Sequence, residues 1–139
     1  MAGYSGTPLP KKLGIKPDHL VDLIDAPLGF DVTLGDLPIG VAVHSDSANR
    51  LPIDVIVLFT KSEKKLRKRF KVVAKRLAPA GGLWIAWPKR ASGVATDLTE
   101  NEVRGIGLDA GLVDNKVCAI DDTWSALRFV IRLKDRPKK

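Results

Sequence analysis

The chain has 139 residues, of which 45% are hydrophobic and 28% charged, so it can bury one hydrophobic core and does not have the composition of a disordered protein. No apolar run approaches the roughly 18 residues that a membrane span requires, and residues 1–14 contain no apolar stretch typical of a secretory signal. The formal net charge of +7 is concentrated in residues 61–76, which hold nine basic residues and one acid. We therefore expect a cytoplasmic protein with no membrane segment and one strongly basic element.

The beginning of the chain predicts an extended arm followed by two strands. Residues 1–18 are rich in Gly and Pro and have neither helical nor strand periodicity, which is typical of an extended N-terminal arm. Residues 19–25 predict the first strand, and the residues at 26–29 are typical of a turn. A short helix or turn then leads to a second strand over 39–43.

The strongest strand pattern lies at 53–60, where an uninterrupted β-branched apolar run indicates burial on both faces, as in the centre of a parallel sheet. Ser62 is placed to cap the helix that follows, and Pro79 with Gly81 and Gly82 predicts its end. The spacing of four apolar residues predicts one buried stripe along this helix. The stripe consists of Leu66, Phe70, Val73 and Leu77.

The next elements are a strand, a polar loop and a helix. Residues 83–87 predict the strand, which would complete a β-α-β crossover. Thr99, followed three residues later by Glu102, has the pattern of a capping box. It predicts a helix that runs to about Ala110 and ends at Gly111.

The last third of the chain predicts a closing antiparallel hairpin. Its two strands lie at 113–120 and 124–133, with an acidic turn between them, and a basic tail follows at 134–139. Strands that alternate with helices imply right-handed crossovers and a parallel sheet. We therefore expect one α/β domain over 19–133, with a Rossmann-like three-layer sandwich whose mostly parallel sheet ends in the hairpin.

Two segments resemble class I S-adenosylmethionine-dependent methyltransferases. LAPAGGLWIAW at 77–87 is similar to the helix, turn and strand midway through that fold, and residues 100–124 are similar to the helix, Gly-containing turn and hairpin that end it. Longer motifs, from AGYSGTPL at 2–9 and KKLGIKP at 11–17 to VDNKVCAIDDTWSALRFVIR, resemble a bacterial family of small proteins, domain-of-unknown-function family 3052. The first resemblance implies a methyltransferase-like fold, and the second gives no information about activity.

The methyltransferase resemblance also assigns two cofactor positions. In that fold the cofactor lies on a Gly-rich turn after the first strand, and an acid at the end of the second strand binds the ribose hydroxyls. The corresponding residues here are Gly29, in the turn at 26–30, and Asp46. A single glycine leaves less room for a cofactor than two or three would. We therefore expect a degenerate turn and no cofactor, with S-adenosylmethionine or a nucleotide as the alternative.

The polar loop at 87–99 is the second candidate site, because ligands of open α/β sheets bind where the carboxyl ends of strands meet helix N-termini. An aromatic side chain, cations and hydroxyls there could hold an anionic or planar ligand. The alternative is that they pack, face solvent and cap the next helix. The candidate ligand-binding residues are Trp87, Lys89, Ser92, Thr96 and Asp97.

The basic helix at 61–76 is an alternative site, for nucleic acid. Its lysines lie off the apolar stripe and could neutralise phosphates without reading sequence. No exposed aromatic residue lies among them to stack on bases, so we favour a solubilising surface. The residues concerned are Lys64, Lys68, Lys71 and Lys75.

The remaining reactive side chains indicate neither a metal site nor a nucleophile. Cys118 is the only cysteine and lies in an apolar strand, so it cannot close an intramolecular disulfide and we expect an inert buried thiol. With His19 and His44 it gives no ligand set spaced for zinc, and neither histidine has an orienting carboxylate beside it. We expect structural roles for all three residues and no metal.

The preferred interpretation is therefore a non-catalytic or regulatory domain rather than an enzyme. It would bind a protein partner or a small anionic ligand near the 87–99 loop. The first alternative is a nucleotide- or S-adenosylmethionine-dependent enzyme with an atypical site, and the second is a nucleic-acid-binding accessory protein. A homodimer through Trp124 and the edge of the hairpin is also open.

Overall fold

The computed structural model describes residues 6–45 and 52–137. Among these residues, six strands form one sheet. The strands are β1 (Leu20–Ile24), β2 (Ala42–His44), β3 (Ile53–Phe59), β4 (Leu77–Pro88), β5 (Leu112–Ala119) and β6 (Trp124–Ile131). Their order across the sheet is β2-β1-β3-β4-β6-β5. The first four strands are parallel to one another, and β6 pairs antiparallel with both β4 and β5.

Helices cover both faces of the sheet. The helices are α1 (Leu9–Lys12), α2 (Phe30–Leu34), α3 (Glu63–Ala74) and α4 (Glu100–Asp109), and short 3-10 turns lie at Arg90–Ser92 and Leu133–Asp135. The buried side chains of α3 and α4 pack on one face, and those of α2 and of the segment after α1 pack on the other. This arrangement confirms the predicted three-layer α/β sandwich with a mostly parallel sheet and a C-terminal antiparallel pair. Within the described part of the chain, no helix is long and apolar enough to cross a bilayer.

The helix predicted after the central strand forms as expected at its start. The Ser62 hydroxyl accepts a hydrogen bond from the Lys65 N–H, and Leu66, Phe70 and Val73 are buried along one side. Leu77 is the exception, because the helix ends at Ala74 and Leu77 is the first residue of β4. Leu77 is buried there against the same core, so the spacing identified a core residue but placed it on the wrong element.

Strand β4 is longer than the strand predicted at 83–87. The Pro and Gly residues before it do not form a turn but continue the strand, so that Leu77 pairs with Ile53 and Gly82 pairs with Val55 across an irregularity in the register. A Cβ on Gly81 would lie 2.6 Å from the Asp54 carbonyl oxygen, so glycine is required there for close approach of the two backbones. The local sequence around Gly81 and Gly82 is typical of a turn, but in the structure these glycines permit tight strand pairing.

The N-terminal segment is not simply an extended arm. The prediction is wrong over Leu9–Lys12, which is helical, and Leu13 and Ile15 are buried in the core after it. The Trp84 Nε1–H donates a 3.0 Å hydrogen bond to the Leu13 carbonyl oxygen. The segment therefore forms part of the layer that covers β1, β3 and β4.

Helix α4 forms with the predicted capping pattern. The Thr99 hydroxyl oxygen accepts from the Glu102 N–H at 3.4 Å, and Gly111 adopts a φ of +94° immediately after the helix. Val103, Ile106 and Gly107 face the core. The second strand, predicted over 39–43, is shorter in the structure. It begins three residues later, at Ala42, and ends one residue later, at His44.

Candidate functional site

A cavity of about 680 Å³ opens at the carboxyl end of β4. Its walls come from the end of that strand, the polar loop that follows, the first turn of α4 and the second residue of β6. The lining residues are Trp87, Lys89, Arg90, Gly93, Val94, Ala95, Thr96, Asp97, Leu98, Thr99, Glu100 and Ser125. It therefore lies at the carboxyl edge of the parallel strands, and four of the five residues predicted in the 87–99 loop line it.

The floor of the cavity is apolar. Trp87 is only 5% exposed and Leu98 only 4%, and both belong to the core cluster under α3 and α4. Trp87 is paired across the sheet with Ser125, whose side chain also lines the cavity. Trp87 is thus a packed floor residue rather than an exposed plate on which a planar ligand could stack from both sides.

Two cations lie on one wall. The backbone N–H of Lys89 donates a 2.7 Å hydrogen bond to the Thr123 carbonyl oxygen, which fixes the loop against the hairpin. Neither Lys89 nor Arg90 forms an ion pair with any residue in 6–45 or 52–137. Their charges therefore remain available to a ligand.

The two carboxylates that line the cavity already have partners. Asp97 Oδ1 accepts a 2.8 Å hydrogen bond from the Glu63 N–H, and Glu100 Oε2 lies 2.7 Å from Arg104 Nη2. The sequence allows Asp97 to cap the next helix, but in the structure it caps the start of α3 instead. The loop reaches α3 because Thr96 and Asp97 hydrogen-bond to residues that follow β3. Glu100 is offset by the charge of Arg104, and Asp97 is held by a backbone N–H, whereas the two cations have no such partners, so the cavity favours an anionic ligand over a cationic one.

The other predicted hydroxyl residues shape the loop. The Thr96 hydroxyl donates to the Lys61 carbonyl oxygen at 2.6 Å and accepts from the Leu98 N–H, which ties the loop to the carboxyl end of β3. The Ser92 hydroxyl donates to the Lys89 carbonyl oxygen and accepts from the Val94 N–H. Ser92 does not appear among the lining residues, so the structure gives it a role in the turn and not at the cavity wall.

The turn after β1 is the other half of the carboxyl edge. Asp25 and Gly29 adopt left-handed conformations with φ values of +56° and +83°, and Gly29 precedes α2. No atom lies within 4 Å of the position that a Cβ on Gly29 would occupy, so the turn is open there. Asp25 is paired with Arg69 of α3 at 3.0 Å. Asp46, the acid predicted for the second strand, lies outside the described residues.

This turn fits an adenosyl cofactor in part. The left-handed, unobstructed backbone at Gly29 permits close approach, whereas the single glycine and the Asp25–Arg69 ion pair depart from the usual Gly-rich turn. Phe30, the next residue, packs edge-to-face on Phe59 at the end of β3. Because β1 and β4 are separated only by β3, their carboxyl ends are about 10 Å apart on the usual strand spacing. The turn and the cavity therefore belong to one edge of the sheet.

The side chains outside the edge have structural surroundings. His19 Nδ1 accepts a hydrogen bond from the Lys16 N–H at 3.1 Å, and His44 ends β2. Burial raises the pKa of the Cys118 thiol to about 11, only partly offset by the nearby charge of Lys12, so the thiolate is scarce at neutral pH. Across the described residues, no three His, Cys, Asp or Glu side chains come together as metal ligands.

The basic helix presents its lysines to solvent. Lys64, Lys68, Lys71 and Lys75 are all exposed, and none of them pairs with a carboxylate of the described chain. The arginines of the same helix differ, because Arg67 contacts Glu63 and Asp109 while Arg69 contacts Asp25. A solubilising role for the lysines and a role in binding nucleic acid both stay predictions.

Several cavity residues could not be found from the sequence. Ser125 follows Trp124 in the hairpin, and only the register of β4 with β6 brings it opposite Trp87. Thr99 and Glu100 were interpreted only as the start of a helix, although the carboxyl-edge rule could have included them. These residues are local cap or strand positions that tertiary pairing turns into cavity walls.

The sequence matches no protein-family model and no curated protein at a significant level. The fold matches solved structures of methyltransferases. A SAM-dependent methyltransferase from Aquifex aeolicus has a TM-score of 0.65 and 17% identity, over 88% of this chain and 87% of that one. Magnesium protoporphyrin IX methyltransferase from Synechocystis PCC 6803, with bound SAH, has a TM-score of 0.55 and 11% identity, over 84% and 75%. The fibrillarin pre-rRNA processing protein of Methanococcus jannaschii has a TM-score of 0.57 and 16% identity, over 93% and 70%.

These matches correct the preferred interpretation of a non-catalytic domain. Solved structures that share the fold include a SAM-dependent methyltransferase and magnesium protoporphyrin IX methyltransferase, which counts against a preference for a non-catalytic domain. The expectation that no cofactor binds is likewise unsupported, since solved relatives of the fold hold SAH or SAM. At these identities the likeness shows the fold alone, and the resemblance to domain-of-unknown-function family 3052 stays a prediction. The chain has a methyltransferase-like α/β fold.

Proposed function

We propose that the chain is an S-adenosylmethionine-dependent enzyme that transfers a methyl group to a small anionic acceptor bound in the cavity at the end of β4. The observation that carries the acceptor class is the charge balance of that cavity. Lys89 and Arg90 have no carboxylate partner in the described structure, whereas Asp97 and Glu100 are both engaged. An anion would therefore find two available cations over an apolar floor.

The cofactor assignment is supported by the position of the open turn. Gly29 offers unobstructed backbone at the carboxyl end of β1, about 10 Å from the cavity on the usual strand spacing. When bound, S-adenosylmethionine supplies an electrophilic methyl group on a sulfonium. The residues of this chain would hold the acceptor, orient its nucleophile toward the turn and exclude water with the floor formed by Trp87 and Leu98.

The cofactor assignment is tested by replacing Gly29→Asn, with Gly111→Asn as the matched control. Both glycines have left-handed φ values and no atom within 4 Å of the added Cβ, and Asn tolerates that conformation, so the two variants should fold alike. Only Gly29 lies at the turn. We expect S-adenosylhomocysteine to stabilise the wild type and Gly111→Asn by about 2.7 kcal/mol at 100 times its dissociation constant, and Gly29→Asn by much less. Equal stabilisation of all three proteins would contradict the assignment.

The acceptor assignment is tested separately with Lys89→Met combined with Arg90→Met. The control removes the same charge from Lys64 and Lys68, which are exposed on α3. A thermal-shift screen of small carboxylates and phosphate esters should find a ligand that stabilises the control but not the cavity variant. Binding of S-adenosylhomocysteine should be unchanged in both. Equal thermal stabilisation by charged and uncharged ligands would count against an anionic acceptor. The same would hold if the cavity variant and the control both lost the stabilisation by anionic ligands.

A further inference from the structure

A second cavity, of about 310 Å³, lies on the other face of the sheet at the amino ends of the parallel strands. It is bounded by the segment before β1, the starts of β3 and β4, and the middle of β5 and β6. Its lining residues are Lys12, Gly14, Lys16, His19, Asp54, Val55, Ala78, Ala80, Gly81, Lys116 and Arg128. Gly81 here and Trp87 in the first cavity are six residues apart on β4, which is about 20 Å along a strand, so the two cavities are separate.

The charge of this cavity is strongly positive. Four cationic side chains line it, from Lys12, Lys16, Lys116 and Arg128, against one carboxylate. That carboxylate, Asp54, already accepts a 2.8 Å hydrogen bond from the Leu20 N–H through Oδ2. Lys16, Lys116 and Arg128 form no ion pair with any described residue.

The sheet register places two of these cations side by side. Lys116 of β5 is the direct partner of Arg128 on β6, and Trp84 of β4 is the partner of Arg128 on its other side. Like charges directly opposite each other on neighbouring strands destabilise a sheet. Arg128 is also half-buried, and its Nη1 donates a 3.4 Å hydrogen bond to Oδ1 of the neutral Asn115 side chain. Burial, and after it the charge of Arg136, lowers the pKa of Arg128.

The backbone makes room for the guanidinium. A Cβ on Gly82 would collide with the end of the Arg128 side chain, so glycine at this position lets the guanidinium lie against β4. His19 lies at the same cavity, and its Nδ1 accepts from the Lys16 N–H, which leaves Nε2 as the donor of the neutral ring. Planar and flexible donors thus surround one small space in which Asp54 is the one carboxylate among the lining residues.

We propose that this cavity is a second ligand site, which binds the phosphate groups of a small polyphosphate or of a nucleotide. A phosphate chain would offset the positive charges of Lys16, Lys116 and Arg128, and its oxygens would accept from the Arg128 guanidinium in a bidentate manner. A small molecule of this kind would also fit the cavity volume better than a polymer would. The site is distinct from the proposed acceptor cavity, because the two share no lining residue.

The test is a titration of the full chain with sodium tripolyphosphate at constant ionic strength, followed by thermal unfolding. ATP and adenosine distinguish a nucleotide from a free polyphosphate. In the Gly29→Asn background, which removes the proposed adenosyl site, we expect saturable stabilisation by tripolyphosphate and by ATP and none by adenosine. Tighter binding of ATP than of tripolyphosphate would assign the site to a nucleotide. Lys16→Ala combined with Lys116→Ala should weaken tripolyphosphate binding by about tenfold or more, which is 1.4 kcal/mol or more. The same variant should melt at a higher temperature than the wild type without ligand, because a like-charge pair has been removed.

Two further variants keep the result specific. Gly82→Ala should displace only the flexible end of Arg128, so it should fold normally and still lose most of the tripolyphosphate response. Lys64→Ala combined with Lys68→Ala removes the same charge elsewhere and should leave the response intact. Equal losses in the Lys64 and Lys68 control, or a response that never saturates, would overturn the proposal. Loss through Lys89 and Arg90 alone would assign the phosphate to the first cavity and also overturn it.

Discussion

Two glycines of α4 should respond in opposite directions to the same substitution. A Cβ on Gly107 would collide with the ring of Phe129, which is fully buried and packed edge-to-face on Phe70 with ring centres 5.3 Å apart. No atom lies within 4 Å of a Cβ on Gly105, two residues earlier on the same helix. Gly107→Ala therefore forces the helix away from the sheet or the ring out of its place, whereas Gly105→Ala only fills open space.

The magnitudes follow from helix propensity and packing. Alanine is better than glycine in a helix interior by about 1 kcal/mol, so Gly105→Ala should raise the free energy of unfolding by about that amount. Overpacking a rigid core costs about 1–3 kcal/mol, so Gly107→Ala should lower the free energy of unfolding by up to about 2 kcal/mol after the same helix gain. Urea titrations followed by tryptophan fluorescence give both values from the midpoints. Equal stabilisation by the two substitutions would refute the docking of α4 that forms the cavity wall at Glu100.

Three further predictions concern single contacts. Ser62→Ala removes the acceptor for the Lys65 N–H at the start of α3 and should lower the free energy of unfolding by about 0.5–2 kcal/mol, measured by urea titration. Trp84→Phe removes the hydrogen bond to the Leu13 carbonyl oxygen, so it should lower the free energy of unfolding by about 1 kcal/mol and increase the rate of proteolysis near Leu13. An unchanged cleavage rate would contradict the anchoring of Leu13 by Trp84. Cys118, with its pKa raised to about 11, should react slowly with a thiol reagent at pH 8 and rapidly after unfolding. Because the pKa is higher in the folded state, the stability linked to this thiol is present below the pKa of the unfolded thiol and is lost as pH rises towards about 11. Cys118→Ala should abolish that loss of stability at high pH.

The sequence was sufficient for elements whose signals are local. The apolar run of β3, the Ser62 cap of α3 and the Thr99 cap of α4 each depend on neighbouring residues, and the structure has all three. The first half of β4 was not predictable in this way. Pro79 and Gly81 are locally typical of a turn, and only the pairing with β3, more than twenty residues earlier in the chain, makes them part of a strand.

The candidate site shows the same division. The end-of-strand rule led to Lys89, Thr96 and Asp97, which line the cavity, because the rule depends only on where the strand stops. It could not show that Asp97 is engaged by the Glu63 N–H, 34 residues away, or that Ser125 faces Trp87 across the hairpin. The charge selectivity that we propose for the cavity depends on those long-range contacts, so it could not be predicted from local sequence.

Calorimetric titration of S-adenosylhomocysteine into the purified full chain tests the proposed enzyme most directly, because the measurement needs no knowledge of the acceptor. The account predicts saturable binding of one ligand per chain, which is lost in Gly29→Asn and kept in Gly111→Asn. Absence of binding heat in the wild type across a range of temperatures, together with no change in its thermal unfolding, would contradict the account.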